Sequence, residues 1–293
     1  MFIDIHVHAI KEPTCPYWDG TQIISTPEQL IARYDAVGIE RGVILPITTV
    51  ENMWFVESNE DVLHMAERFS GRFIPFCNLD PRAIYNTWQA PLDYVLKYYR
   101  DKGCKGIGEV VANIPMLDPR MQNLFKAAES TGLPLTFHLA PQEGGFYGII
   151  EDTGLKQLEI SCQRFPNLKF FCHSATFWAE IAATPTYEQR CIYPSGKIEE
   201  EGAIQKLMRK YPNLYGDLSA GSGCNALARD EEYAVKFLNE FQDRLFFGTD
   251  ICRPTTNTPL VDLLTRFRDE KKISETVFQK VARENAIRVL NLN

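Results

Sequence analysis

Long apolar runs are the first thing this 293-residue sequence lacks: nowhere do about 18 apolar residues follow one another. Residues 1–25 carry no basic segment leading into an apolar one, so neither a membrane span nor an export signal is expected. Positive charge is in deficit. The 31 Lys and Arg face 38 Asp and Glu, for a net charge of −7, and no Lys/Arg-rich run occurs. Nucleic acid and anionic membrane both attract basic patches, which excludes them as expected main partners. The eight cysteines form no CxxC pair and are scattered along the chain, predicting free thiols in a reduced, cytoplasmic compartment. No linker rich in Pro, Gly or Ser divides the sequence. A glycine-rich phosphate turn is also missing after the first apolar run, where AIKEPTCP stands, and this argues against a doubly wound nucleotide-binding sheet.

What is present is a regular alternation. With 45% hydrophobic and 24% charged residues the chain can bury a full core. Eight strand-like segments occur: FIDIHVH (2–8), RGVILPI (41–47), FIPFCNL (73–79), CKGIGEVV (104–111), LPLTFHLA (133–140), LKFFCHSA (168–175), LYGDLSA (214–220) and LFFGTDI (245–251). Between them lie stretches with apolar spacing near 3.6, several opening on Ser, Thr or Asp and stopping at Gly or Pro, as helices do. This rhythm predicts an α/β chain folded as a (β/α)8 barrel, one domain over residues 1–293, with an extra C-terminal helix after the last β/α unit. The long connections 9–25, 80–89 and 176–198 each follow a strand, and in a barrel would lie at the face where active sites are built.

Chemistry-bearing residues collect at strand ends. Strand alternation places Asp4, His6 and His8 on one face and Ile3, Ile5 and Val7 on the other, the apolar side being expected to pack on helices. Buried imidazoles without partners cost several kcal/mol, so a divalent metal is the natural occupant between two histidines spaced for one ion. Glu109, His138, His173 and Asp250 stand at or near the ends of the fourth, fifth, sixth and eighth segments, which would bring them to the same barrel mouth. Each alone has an ordinary reading, as a paired core carboxylate, a turn cap or a backbone-bonded histidine. Jointly they point to a metal site. His64, in VLHMAERF, falls outside the set and reads as a helix-surface residue.

The combination of HVH on strand one, histidines on strands five and six, and an aspartate on strand eight resembles the amidohydrolase superfamily, and within it amidohydrolase family 2. That branch contains metal-dependent TIM-barrel hydrolases, lactonases and nonoxidative decarboxylases. The likeness extends to the closing ENAIRVLNL. It implies that His6, His8 and Asp250 hold the metal with His138, and that His173 is the catalytic imidazole. Glu109 stands where a strand-four group ligates or bridges metals in some members, in place of a carboxylated lysine, so one ion is preferred and a second is possible through Glu109. Zinc suits the ligand set first, with Mn2+, Fe2+ or Co2+ fitting the same geometry. The implied activity is attack of metal-activated water on an amide, lactone or ester carbonyl, with Asp250 moving the proton; decarboxylation of an aromatic or muconate-type acid is the alternative. Asp4 is expected to orient the ligand histidines. All four tryptophans fall in post-strand connections, with Tyr17, Phe177, Tyr193, Arg82, Arg190 and Arg253; of these Trp18, Trp178 and Arg253 are the expected contacts to a small planar, carboxylate-bearing substrate. A homo-oligomer is left open.

Overall fold

The computed structural model describes residues 1–52 and 55–292; Trp54 lies outside the described residues. Among the described residues nine strands form, β1 (Phe2–Val7), β2 (Ile39–Ile44), β3 (Phe73–Pro75), β4 (Ile107–Val110), β5 (Leu135–Ala140), β6 (Ile149–Ile150), β7 (Phe170–His173), β8 (Leu214–Asp217) and β9 (Leu245–Phe246). All pairings between them are parallel, in the orders β1-β2-β3 and β4-β5-β7-β8-β9, with β6 added to β5 outside this path. Single parallel bridges, Cys77 to Ile107 and Val7 to Ile251, join the two groups at both seams. Cys77 N donates to Gly106 O at 3.0 Å and Asp250 N to His6 O at 2.8 Å across these seams. The eight main strands thus make a (β/α)8 barrel, as the sequence alternation predicts. Each strand is shorter than its apolar segment: in β3, β8 and β9 the C-terminal residues leave the ladder for the loops at that mouth, whereas β4 and β5 are shortened mainly at their N-terminal ends.

Helices occupy the expected intervals, and their ends show why. Thr26 and Gln29 cap each other around the first turn of Pro27–Val37, which stops at Gly38 in a left-handed conformation. Ser58 and Asp61 do the same for Asn59–Arg68, on which His64 is exposed as expected. Three short helices were not evident in the sequence: Ala175–Ala179, Tyr187–Cys191 and Ala220–Ala228. Among the described residues, no helix is long and apolar enough to cross a membrane.

Two apolar layers hold the barrel. Ile3, Ile5, Val43, Leu45, Ile74, Phe76, Phe171, Tyr215 and Phe246 cluster with Ala286, Val289 and Leu290 of the C-terminal helix Asn285–Leu290, which therefore packs where the strands begin. A larger cluster, including Phe2, Val7 and Tyr34, lies between strands and helices.

The face assignment of β1 differs from simple alternation. Asp4 is opposite Gly42 while Val7 is opposite Ile44, so three steps on β1 match two on β2 and one residue is extra. Ile3 and Ile5 consequently join the β-strand cluster with the C-terminal helix, and Asp4 faces the helix layer, where Tyr34 Oη donates to it at 2.8 Å. Past the bulge, Val7 packs in the strand–helix layer and the two histidines turn to the site. A second bulge lies in β4, where Ile107 pairs with Leu135 but Val110 pairs with Phe137, and it turns Glu109 to the same centre.

Candidate metal centre

Four side chains, from β1 and the residue just after it, from β4 and from the segment after β9, meet around one point. His6 Nε2 is 3.7 Å from Glu109 Oε2 and 3.7 Å from Asp250 Oδ1. His8 Nε2 is 3.6 Å and 3.7 Å from the same two oxygens. Ligand atoms ~2.1 Å from a tetrahedral ion stand roughly 3.4 Å apart, and the ligand atoms of His6, His8 and Asp250 lie within 4.8 Å of one another, near enough to share one ion. A second trio with compatible spacing is His6, Glu109 and His173.

The imidazoles are turned to suit such an ion. His6 Nδ1 donates to Asp217 Oδ2 at 2.7 Å, and His8 Nδ1 donates to the Leu45 carbonyl at 3.0 Å. Each ring then has only Nε2 left for the centre. His6 Nε2 is buried without a hydrogen-bond partner, which is costly unless a cation takes it. Electrostatics agrees. Burial disfavours charge on His6, yet Asp217 and Glu109 outweigh it and raise its affinity for a proton well above the ordinary value. Glu109 is held well below the carboxylate range: burial opposes this, but His6, His138 and His8 prevail. The centre therefore attracts positive charge, and a divalent ion satisfies the same field better than a proton.

Behind this quartet stand groups that steer it. His138 donates from Nδ1 to Glu109 Oε1 at 3.1 Å, fixing the carboxylate's other oxygen. His173 Nε2 is 3.7 Å from Asp250 Oδ2, and its Nδ1 is 2.8 Å from Ser219 Oγ. Burial, followed by the neighbouring His6, lowers His173 to about 4, so it is a neutral imidazole at pH 7. Asp250 has φ of +53°, a left-handed conformation that costs a non-glycine residue of order 1 kcal/mol and that surrounding structure must enforce. Asp4 supplies part of that enforcement. Its Oδ1 accepts from His6 N at 3.0 Å and Thr249 N at 2.9 Å, tying β1 to the residue before Asp250. It orients backbone rather than imidazole, a correction that follows from the β1 bulge.

Two cavities adjoin the centre. One, of about 250 Å3, is lined by His8, Glu109 and Asp250 below and by Tyr17, Ile47, Phe55 and Arg253 around it. The other, of about 380 Å3, includes His173, Tyr193 and Ser222. His138, Tyr147 and Asp250 line both.

The expected substrate contacts divide. Arg253 lies at the first cavity, its guanidinium 4.7 Å from the Tyr17 ring centroid. Trp18 is 96% exposed and lines neither cavity. Trp178 must be corrected: it is 2% exposed, packs against Phe177 and Phe237, and donates from Nε1 to Asp217 O at 2.9 Å, because its segment forms a buried helix instead of an open loop. Phe177 is buried with it. Arg190 is buried too, pairing with Glu180 at 3.2 Å, and Arg82 is engaged by Asp80 and Glu51. Sequence reasoning missed Asp217, Ser219 and Tyr147. Asp217 carried a readable signal, an aspartate closing an apolar strand segment as Asp250 does.

A family model described as amidohydrolase matches residues 3–292. The chain belongs to the amidohydrolase family. No curated protein matches it. Among solved structures, an uncharacterized TIM-barrel protein from Bordetella bronchiseptica is similar at 17% identity, over 99% of this chain and 98% of that one, with a TM-score of 0.67. The 5-carboxyvanillate decarboxylase of Sphingomonas paucimobilis is 16% identical over 100% and 99% of the two chains, TM-score 0.63. A candidate 2-pyrone-4,6-dicarboxylic acid hydrolase from Pseudomonas putida is 14% identical over 100% and 98%, TM-score 0.62. At these identities the likeness establishes the shared barrel. Amidohydrolase-family membership and the carboxylate–imidazole quartet together make this an enzyme fold with a site suited to a divalent metal.

Proposed function

We propose that this chain is a metal-dependent hydrolase acting on the amide, lactone or ester carbonyl of a small substrate. The observation that carries the reading is the position of Asp250: its carboxylate meets the His6/His8 pair through Oδ1 and His173 through Oδ2, and it lines cavities on both sides. A carbonyl held over Asp250 thus has cavity space beside it for the acyl part and for the departing group.

His6, His8, Glu109 and Asp250 are the proposed ligands, with His138 holding Glu109 or joining the shell. A bound zinc ion, or Mn2+, Fe2+ or Co2+, would acidify water to a pKa of about 7 and polarise the carbonyl. Asp250 takes the proton of the attacking water on one oxygen and delivers it to the departing amine or alcohol. His173, neutral and held at Nδ1 by Ser219, donates from Nε2 to the oxygen on which negative charge develops. Arg253, at the rim of the first cavity, anchors a substrate carboxylate.

The test is turnover of a panel of aryl lactones, esters and amides in 18O-labelled water, alongside carbon dioxide release from carboxylated phenols and muconate semialdehydes. One labelled oxygen in the product acid supports hydrolysis. Carbon dioxide release with no hydrolysis transfers the assignment to a decarboxylase.

A further inference from the structure

Tyr147 belongs to both cavities beside the centre, yet it comes from neither a barrel strand nor a helix. It sits in the connection 141–148 between β5 and β6, within the sequence EGGFYG. Its ring stands 4.6 Å from that of His138, centroid to centroid. Of the two other residues common to both cavities, His138 lies on β5 and Asp250 on the segment just after β9; Tyr147 comes from the β5–β6 connection.

The connection is built to hold that ring in place. Asn113 Nδ2 donates to Gln142 O at 3.1 Å and to Gly148 O at 3.0 Å, while Gly144 N donates to Asn113 Oδ1 at 2.7 Å. One side chain therefore pins both ends of the loop. Gly148 N adds a bond to Val111 O at 2.7 Å. Gly148 has φ of +114°, and a Cβ there would lie 2.9 Å from His138 O and 3.0 Å from His138 Cδ2, so only glycine lets the loop root settle on that histidine. It is therefore the ring, held against His138, that stands beside both cavities.

We propose that Tyr147 is a specificity-determining residue that divides one substrate chamber in two and limits how far a rigid substrate can extend across the centre. This rests on the hydrolytic reading for its chemistry: the acyl arm, carrying an anionic group, lies on the Arg253 side, and the leaving group lies on the Tyr193 side. The two sides differ in kind. The Arg253 side is walled by Ile23, Ile24, Ile47 and Phe55, suited to a compact ring. The Tyr193 side is lined by the small residues Ala175, Ala220 and Ser222, suited to an uncharged alcohol or amine fragment. The substrate class is therefore a bent, two-armed acyl compound with one anionic aryl or alkyl arm, and an elongated rigid acid is rejected.

Equilibrium binding tests this apart from turnover. Calorimetry on the full-length chain, with metal content matched between variants, would compare benzoate with biphenyl-4-carboxylate. In the wild type benzoate binds and biphenyl-4-carboxylate binds at least about tenfold more weakly. Tyr147→Ala is expected to improve the biphenyl acid about tenfold or more while leaving benzoate within about twofold, and Tyr147→Phe, which keeps the ring, should behave as wild type. At 47% exposure Tyr147 contributes little to the core, so the alanine variant should fold. Asn113→Ala, which unpins the loop, should shift the biphenyl acid in the same direction by less. Equal changes for both acids, no change in Tyr147→Ala, or no benzoate binding to any form would overturn the partition. Failure of every hydrolytic assay with the binding pattern intact would overturn the hydrolytic reading instead.

Discussion

His6 Nδ1 and Asp217 Oδ2 lie 2.7 Å apart, both side chains fully buried, and this pair sets the direction of His6 Nε2, a buried imidazole nitrogen without a hydrogen-bond partner. Asp217 also accepts from Ser219 N at 3.0 Å, so a single carboxylate supports both His6 and the residue that holds His173. Asp217→Asn keeps the size of the group and removes its charge. Support of this kind is typically worth 10- to 100-fold in metal affinity, and a loss of that order is expected in chelator competition with zinc. Unaltered affinity would show that the pair serves folding alone.

Asp250 and His173 separate ion binding from chemistry. Asp250→Asn should abolish turnover and also lower metal content, since its Oδ1 belongs to the quartet. His173→Asn should abolish turnover with metal content near that of the wild type, because its Nε2 reaches the centre through Asp250 Oδ2. Metal analysis of both purified variants decides the matter. Equal metal loss in the two would make His173 a ligand, as its spacing with His6 and Glu109 permits.

The barrel was readable in the sequence because each strand and helix signals itself locally: apolar runs, caps at Thr26 and Ser58, and the stop at Gly38 depend on neighbours a few residues away. The gathering of His6, His8, Glu109 and Asp250 followed from the barrel rule that strand ends meet at one mouth. The side Asp4 faces did not, because the extra residue in β1 exists only relative to its pairing with β2. Trp178 misled for a similar reason. Its segment reads as a loop after a strand, and only the packing of Phe237 and the carbonyl of Asp217 make it a buried helix. Asp217 itself is an ordinary strand residue until His6, 211 positions away, arrives beside it.

The β4 bulge depends on Gly108. Its φ is +131°, and a Cβ would stand 2.4 Å from Thr136 O, a backbone atom that cannot swing aside. Gly108→Ala should therefore cost about 2 kcal/mol or more, from the backbone conformation and the clash together, read as a lower midpoint in urea. Because the bulge aims Glu109, whatever folded protein remains should also bind metal more weakly than wild type. An alanine variant of full stability would mean that β4 can accommodate the side chain by regular pairing.

Asp4 gives the chain a pH-dependent stability that can be removed by one substitution. Burial lifts its carboxyl from 3.8 to about 6, against the opposing donors Thr249, His6 and Tyr34. Below pH 3.8 folded and unfolded states both hold the proton. Between 3.8 and about 6 the folded state keeps it while the unfolded chain releases it, so stability falls as pH rises; above about 6 both are ionised and the fall is complete. The loss from this group is of order 3 kcal/mol. Asp4→Asn mimics the protonated form: its oxygen can accept from His6 N and Thr249 N, and its amide can donate to the hydroxyls of Tyr34 and Thr249, which now donate to Oδ2. Urea unfolding at pH 4 and pH 7 should show the variant gaining on the wild type at the higher pH. A difference between the two proteins that stays constant with pH would mean Asp4 is ionised throughout, with its four donors outweighing its burial.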